Sequence, residues 1–104
     1  MTAHVTVHGP PGHLSPAAQT GLLRLGFDAI ALTCKHTGAH HVWVSVHLAA
    51  PVTIRIEDDG TGPVSKHEVS RRLRALAGLA VHVGAYLAVG AREPQGTVIE
   101  ITAA

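Results

Sequence analysis

The sequence of 104 residues has few aromatic residues, few charges and a single cysteine. Phenylalanine, tryptophan and tyrosine make up 3% of the residues, so aliphatic side chains must fill any core. One cysteine excludes an internal disulfide and a cysteine-based zinc framework. Eight Lys and Arg against seven Asp and Glu give a formal net charge of +1, which offers no electrostatic basis for binding nucleic acid or a membrane surface.

Long apolar runs are also missing. His, Arg or Gly interrupts every apolar run well short of the ~18 residues that would suggest a membrane span, and the chain does not open on a basic segment followed by an apolar stretch. Hydrophobic residues nevertheless make up 46% of the chain and charged residues only 14%, which is typical of a folded domain. We therefore expect one cytoplasmic domain over residues 1–104.

Periodicity predicts seven elements. Alternation of apolar and polar residues indicates strands at 3–8, 41–48, 52–57, 86–89 and 97–102. Apolar stripes at helical spacing indicate helices at 16–36, with Ser15 as N-cap and Pro16 in the first turn, and at 66–83. The first strand alternates in the way of a half-buried strand. This order of elements predicts an α+β fold built as a two-layer sandwich.

Three stretches carry motifs in a characteristic order. The segment LRLGFDAIALTCKHT, residues 23–37, is similar to a helix motif that usually reads E-A-L-x-N-x-x-K-H-A. The segment DDGTG, residues 58–62, fits D-x-G-x-G, and residues 83–87 and 96–98 are similar to the closing motifs L-G-G-x-L and G-G-T-x-V. Over residues 14–102 the chain resembles the ATP-binding domain of sensor histidine kinases, in the larger family that includes DNA gyrase. The nitrate-sensor-type kinases are the group it resembles most.

The resemblance implies a fold and a set of nucleotide contacts. The fold is a two-layer α/β sandwich in which helices cover one face of a mixed sheet. Asp58 is expected to accept a hydrogen bond from the adenine amino group, because a carboxylate selects an NH₂ donor. Gly60 and Gly62 are expected to let the backbone approach the base, because glycine has no Cβ to block it. Thr97, in the closing motif, is assigned to the same site.

The first helix supplies the other expected contacts. At about 100° per residue, one apolar stripe should face the core, and a second stripe about 135° away should face the nucleotide. The expected core stripe is Leu23, Phe27, Ile30 and Cys34. In the second stripe the resemblance makes Asp28 the catalytic carboxylate that organises water, and Lys35, with the adjacent His36, a contact for phosphate. Lys35 and His36 have an alternative interpretation, as cations at the helix C-terminus that interact favourably with the helix macrodipole.

Two departures from the family pattern argue against Mg²⁺-dependent catalysis. Leu32 stands where the family has a Mg²⁺-binding asparagine, and leucine has no oxygen ligand for a hard cation. In the lid, Ser70 and Arg72 stand on glycine positions, while Ser65 and Glu68 fit a capping box that would occupy the first N–H groups of the second helix. The expected ligand is therefore ATP or ADP, and the sequence does not support a Mg²⁺ ion.

The remaining charged and histidine residues have simpler interpretations. Arg71, Arg72 and Arg74 could reach a triphosphate, but a solvated basic helix face is the preferred interpretation. Among nine histidines the densest set is His36, His40 and His41, which no carboxylate or cysteine accompanies. We therefore expect no metal site.

Three functions remain open from the sequence. The first is an ATP-binding domain of a sensor histidine kinase, with impaired Mg²⁺-dependent catalysis, that acts on a separate helical phosphoacceptor domain. The second is a non-catalytic pseudo-ATPase that docks on a signalling protein and regulates it. The third is a stand-alone serine kinase of the anti-sigma type. An adenine nucleotide and a signalling protein are thus the expected partners, with no nucleic acid and no membrane.

Overall fold

A computed structural model describes residues 2–9, 16–36, 38–49, 51–60, 66–82 and 84–103, without the side chains of residues 18, 33–36 and 66–70. The predicted order of strands and helices is confirmed, and each element begins and ends close to its predicted bounds. The elements are β1 (Thr2–His8), α1 (Pro16–His36), β2 (His41–His47), β3 (Val52–Asp58), α2 (Lys66–His82), β4 (Ala85–Ala91) and β5 (Thr97–Ala103).

The strands form one mixed sheet. It has five strands in the order β1-β2-β3-β5-β4. The β1–β2 pair is parallel, and the other three pairs are antiparallel. Strands β2 and β3 form an antiparallel hairpin, with Val44 opposite Ile56. Both β1 and β4 are edge strands.

Both helices cover the same face of this sheet, which we call the covered face. Helix α1 packs against β3 and α2 packs against β4, and the two helices contact each other. Alternation along the strands places aliphatic side chains on the covered face and polar ones on the opposite, open face. The strand residues of the core are Val42, Val44, Val52, Ile56, Ala85, Ile99, Ile101 and Ala103. The predicted α+β sandwich, with helices on one face of a mixed sheet, is confirmed.

The core-facing side of α1 differs from the prediction. Leu23 is 62% exposed and Phe27 is 67% exposed, whereas the sequence stripe placed both in the core. The buried residues of α1 are instead Leu22, Leu25, Ala29 and Leu32. This side is about 150° from the predicted stripe. It contains the small residues Gly26 and Ala29, and a Cβ added at Gly26 would lie 3.8 Å from Ile54 Cδ1, an ordinary van der Waals distance.

Strand β1 also differs from the prediction of a half-buried strand. All of its residues are exposed, including Val5 and Val7. The cause is the position of the helices, because α1 packs over β3, two strands away from β1. Among the described residues, β1 is therefore attached to the domain mainly through its pairing with β2.

The helix ends agree with the local sequence. Helix α1 stops before Gly38, whose φ of +66° is the left-handed conformation that commonly ends helices at glycine. In α2, Leu76 and Ala80 are buried and Leu73 packs against the core. Ser15, the expected N-cap of α1, and the side chain of Cys34, expected in the core, lie outside the described part. Neither described helix has the length and hydropathy needed to cross a bilayer.

Candidate functional site

Asp58 is a buried carboxylate at the end of β3. Its exposed fraction is 1%, and alternation with the buried residues Val52 and Ile56 places it on the covered face of the sheet. The backbone N–H of Gly60 donates a hydrogen bond to Asp58 Oδ1 over 2.8 Å. Burial raises the pKa of the Asp58 carboxyl group, and hydrogen bonds from the backbone of Gly60 and Thr97 offset part of that rise. The side chain is thus oriented and buried on the face of the sheet that the helices cover.

Asp59 has a different role from its neighbour. Its Oδ1 accepts hydrogen bonds from the backbone N–H of His40, over 2.8 Å, and of His41, over 2.9 Å. The bonds from His41 and His40 hold the pKa of the Asp59 carboxyl group below its usual range. Through these hydrogen bonds the Asp59 carboxylate connects the start of β2 to the end of β3. The sequence analysis gave Asp59 no role, because the partners of its carboxylate are backbone groups that have no side-chain signature.

The turn between β4 and β5 holds the backbone that carries Asp58. Gly96 has a φ of +122°, and a Cβ added there would overlap the carbonyl oxygen of Asp58. Gln95 Nε2 donates a hydrogen bond to the carbonyl oxygen of Asp59 over 2.7 Å. Only glycine fits at position 96, because both the dihedral angle and the close approach exclude a side chain. The turn therefore closes over the main chain of Asp58 and Asp59, with the backbone of Gly96 and the side chain of Gln95.

Arg92 supports this turn from the open face. Its guanidinium lies 4.4 Å from the centroid of the Trp43 ring, and its Nε is 3.3 Å from Glu57 Oε2. Arg92 Nη1 also donates a hydrogen bond to the Gln95 carbonyl oxygen over 3.1 Å. One side chain thereby connects β2, β3 and the turn, on the sheet face opposite Asp58.

A groove with a volume of about 370 Å³ lies between α1 and α2. We call it the interhelical groove; it is lined by Asp28, Ala31, Leu32, Arg72, Ala75, Leu76 and Leu79. Its wall is mostly aliphatic, with one carboxylate and one guanidinium. Asp28 and Leu32 lie together in it, on the side of α1 that the sequence analysis assigned to the nucleotide.

The burial of Leu32 corrects one expectation. The sequence analysis placed Leu32 away from the core, but the structure leaves only 6% of it exposed and includes it in the hydrophobic core. The reason is the changed orientation of α1, which brings Leu32 to the border between the core and the interhelical groove. Packing alone is thus sufficient to account for a leucine at this position.

The predicted site residues fall into two groups. Asp58, Gly60 and Thr97 lie together, because Thr97 pairs with Asp58 across β3 and β5. Asp28 lies in the interhelical groove, on the same side of the sheet as Asp58. Gly62 and Ser65, and the side chains of Lys35, His36, Glu68 and Ser70, lie outside the described part of the structure.

The donor set in the groove does not suit a hard cation. Magnesium requires near-octahedral oxygen ligation, and among the described groove-lining side chains only Asp28 offers a carboxylate. Nowhere in the described ranges do three or more His, Cys, Asp or Glu side chains come together in a way that could hold a metal ion. The described groove-lining side chains therefore do not offer the oxygen ligands that a Mg²⁺ site requires.

An α+β domain with a five-stranded mixed sheet and two helices on one face matches the ATP-binding domains of histidine kinases. The ATP-binding domain of PrrB from Mycobacterium tuberculosis aligns with a TM-score of 0.66 at 25% identity, over 97% of this chain and 79% of that one. The histidine kinase AdeS of Acinetobacter baumannii aligns with a TM-score of 0.71 at 12% identity, over 99% of this chain and 53% of that one. Full-length ShkA in complex with AMPPNP aligns with a TM-score of 0.73 at 18% identity, over 98% of this chain and 25% of that one.

These likenesses concern structure more than sequence. The chain spans about half of AdeS and a quarter of ShkA, so it corresponds to one part of those proteins. No family model matches the sequence. None of the curated proteins matches it either.

Proposed function

We propose that the chain binds an adenine nucleotide between α1, α2 and the end of β3, as the ATP-binding domain of a sensor histidine kinase of the nitrate-sensor type. The observation that carries this proposal is Asp58, a carboxylate 1% exposed and oriented by the Gly60 N–H on the covered face of the sheet. Structural similarity to PrrB and to ShkA, which was solved with AMPPNP, supports it.

Asp58 would select adenine. The remaining acceptor sites of the carboxylate can accept a hydrogen bond from the 6-amino group of adenine, while Oδ1 accepts the hydrogen bond from the Gly60 N–H. Guanine and hypoxanthine have a carbonyl oxygen at the same ring position, which would meet the carboxylate acceptor to acceptor. Gly60 has no Cβ, so the base can approach the backbone after β3. Gly62, Thr97, Lys35 and His36 belong to the same proposal by resemblance.

The lining of the interhelical groove supports nucleotide binding without Mg²⁺. Leu32 presents an aliphatic side chain where an oxygen ligand would be needed. Asp28 lies beside it and Arg72 lies across the groove on α2, so Arg72 is placed to contact a phosphate. We infer that affinity for the nucleotide is retained and that phosphoryl transfer to a separate helical phosphoacceptor domain is impaired.

A second candidate function is a docking module without phosphotransfer. The aliphatic wall of the interhelical groove favours it, because Leu32, Leu76 and Leu79 suit an apolar side chain from a partner as well as they suit a nucleotide. The third function left open by the sequence, an anti-sigma-type serine kinase, requires the same Mg²⁺ site as the histidine kinase. Leu32 therefore argues against it as well.

Thermal unfolding with nucleotides separates these functions. ADP, ATP and inosine diphosphate would each be titrated with Mg²⁺ and with EDTA. We expect ADP to stabilise the fold by about 2.7 kcal/mol at 100 times its Kd, to the same extent in Mg²⁺ and in EDTA. Inosine diphosphate should bind at least about tenfold more weakly than ADP, a ratio that corresponds to about 1.4 kcal/mol. A shift that needs Mg²⁺ would instead indicate a competent catalytic site. No shift with any adenine nucleotide at millimolar concentration would leave the docking function alone.

A further inference from the structure

The outer edge of β1 offers unused backbone groups. The N–H of Thr2 donates to the His40 carbonyl over 2.8 Å, and the His8 carbonyl accepts from the Leu48 N–H over 2.9 Å, so these residues bond toward β2. Backbone groups alternate in direction along a strand. Ala3, Val5 and Val7 therefore direct their N–H and C=O groups away from the sheet, where the described part of the chain has no further strand.

The same residues present apolar side chains to solvent. Val5 is 64% exposed and Val7 is 60% exposed, on the covered face of the sheet. Leu23 and Phe27 are also exposed, on the side of α1 away from its buried residues. An exposed aliphatic row beside an open hydrogen-bonding edge favours pairing with another strand.

Strand β1 lacks the features that usually prevent such pairing. Proteins protect edge strands with charged side chains, proline, bulges or a short edge. The sequence of β1, TAHVTVH, has neither proline nor a Lys, Arg, Asp or Glu residue, and all seven residues pair in register with β2. The edge is thus regular and long enough to accept a strand.

We propose that β1 pairs antiparallel with β1 of a second copy of this chain, about a two-fold axis through Val5. This register places Val5 opposite Val5 and Ala3 opposite Val7, so every outward backbone group is used, in about six hydrogen bonds. On the open face it places His4 opposite Thr6 and Thr2 opposite His8. No histidine then faces another histidine across the new pair.

Neighbouring registers are less favourable. An axis at His4 places His4 opposite itself and leaves Val7 opposite Met1. An axis at Thr6 places His4 opposite His8 and leaves Ala3 without a partner in β1. The Val5 register is therefore the self-complementary one. The interface is isologous and closes as a dimer, and its small size, below about 1,200 Å², predicts weak and concentration-dependent association.

Sedimentation velocity across a range of protein concentrations tests the dimer. The wild-type chain should shift from monomer to dimer as concentration rises, and Val5→Lys should raise the dimer dissociation constant at least tenfold. Val81→Lys is the matched control, because Val81 is 73% exposed on α2, and it should dimerise like wild type. A wild-type chain that stays monomeric at millimolar concentration, or a dimer unaffected by Val5→Lys, would overturn the proposal.

Cysteine cross-linking tests the register. In the proposed pair the two Val5 Cα atoms are about 5.5 Å apart, which is within disulfide range. Val5→Cys should therefore form an intermolecular disulfide readily, while Val7→Cys alone, with Cα atoms at least ~13 Å apart, should not exceed the background set by native Cys34 in wild type. A mixture of Val7→Cys and Ala3→Cys should cross-link again. Equal cross-linking of Val5→Cys and Val7→Cys would refute this register.

Discussion

The carbonyl oxygen of Asp58 lies where a Cβ on Gly96 would have to be placed. The two residues are 38 positions apart in the chain, yet this contact sets the position of the end of β3 relative to the β4–β5 turn. The carboxylate that we assign to adenine is thus held partly by a glycine that touches only its backbone.

Gly96→Ala should destabilise the fold by about 2–4 kcal/mol, because it adds an overlap and a strained positive φ. Urea unfolding would measure the loss. Gly90→Ala is the control within the same hairpin, since nothing lies within 4 Å of a Cβ added at Gly90. It should change stability by less than about 0.5 kcal/mol. Equal losses in the two variants would show that the contact with Asp58 is not the cause.

Asp58→Asn should weaken ADP binding while preserving the fold. Asparagine replaces one carboxylate oxygen with an NH₂ donor and removes the negative charge, so the oxygen that would accept from the adenine amino group is lost while the other can keep the Gly60 N–H, and the loss should be roughly 10–100-fold in Kd, as for a hydrogen bond to a charged group. Isothermal titration with ADP would measure it. An unchanged Kd would remove Asp58 from the binding site.

The same variant should change stability in a defined direction. Burial raises the pKa of Asp58 in the folded state, so the stability it contributes is fully present below the unfolded pKa and is lost as the pH rises through the folded pKa. At pH 7 the burial of this carboxylate therefore lowers the free energy of unfolding, and Asp58→Asn should be at least as stable as wild type at that pH. Its advantage should shrink as the pH falls toward 4. Chemical unfolding at several pH values would detect the trend.

Asp59→Asn should have the opposite dependence on pH. The hydrogen bonds from His41 and His40 lower the folded pKa of Asp59, so its contribution is present above the unfolded pKa, near 4, and is lost as the pH falls through the folded value. The variant should be less stable than wild type at pH 7, and its unfolding free energy should fall less steeply below about pH 4. Parallel slopes in the variant and the wild type would contradict the assignment.

Leu32→Asn tests the link between the interhelical groove and Mg²⁺. Burying an amide should cost about 1–3 kcal/mol, and the new oxygen should make ADP affinity depend on Mg²⁺ if phosphates lie beside residue 32. Leu32→Ala removes the side chain without adding an oxygen and should remain independent of Mg²⁺. If the ADP affinity of both variants is independent of Mg²⁺, the phosphates do not lie beside residue 32.

The element order could be predicted from sequence because each strand alternates and each helix is bounded by its own signals. Pro16 and Gly38 mark the ends of α1, and alternation defines both faces of β2. The orientation of α1 could not be predicted in this way, since apolar residues surround the helix. The packing of Leu22, Leu25 and Ala29 into the core settles it, and that core includes strand residues from distant parts of the sequence.

The candidate site was predictable only in part. The D-x-G-x-G pattern and its place after a strand indicated Asp58, and the structure places that residue in a buried and oriented position. The roles of Asp59 and Arg92 escaped prediction, because each depends on partners that the sheet brings together. Leu32 was predicted to face the nucleotide side and lies in the interhelical groove, but its burial depends on the orientation of α1.

The contacts of Arg92 with Trp43 and Glu57 have a consequence for altering the molecule. They lie on the solvent side of the sheet, yet they brace the main chain that carries Asp58. Substitutions on the open face of the sheet should therefore change the proposed nucleotide affinity without altering any side chain that lines the interhelical groove.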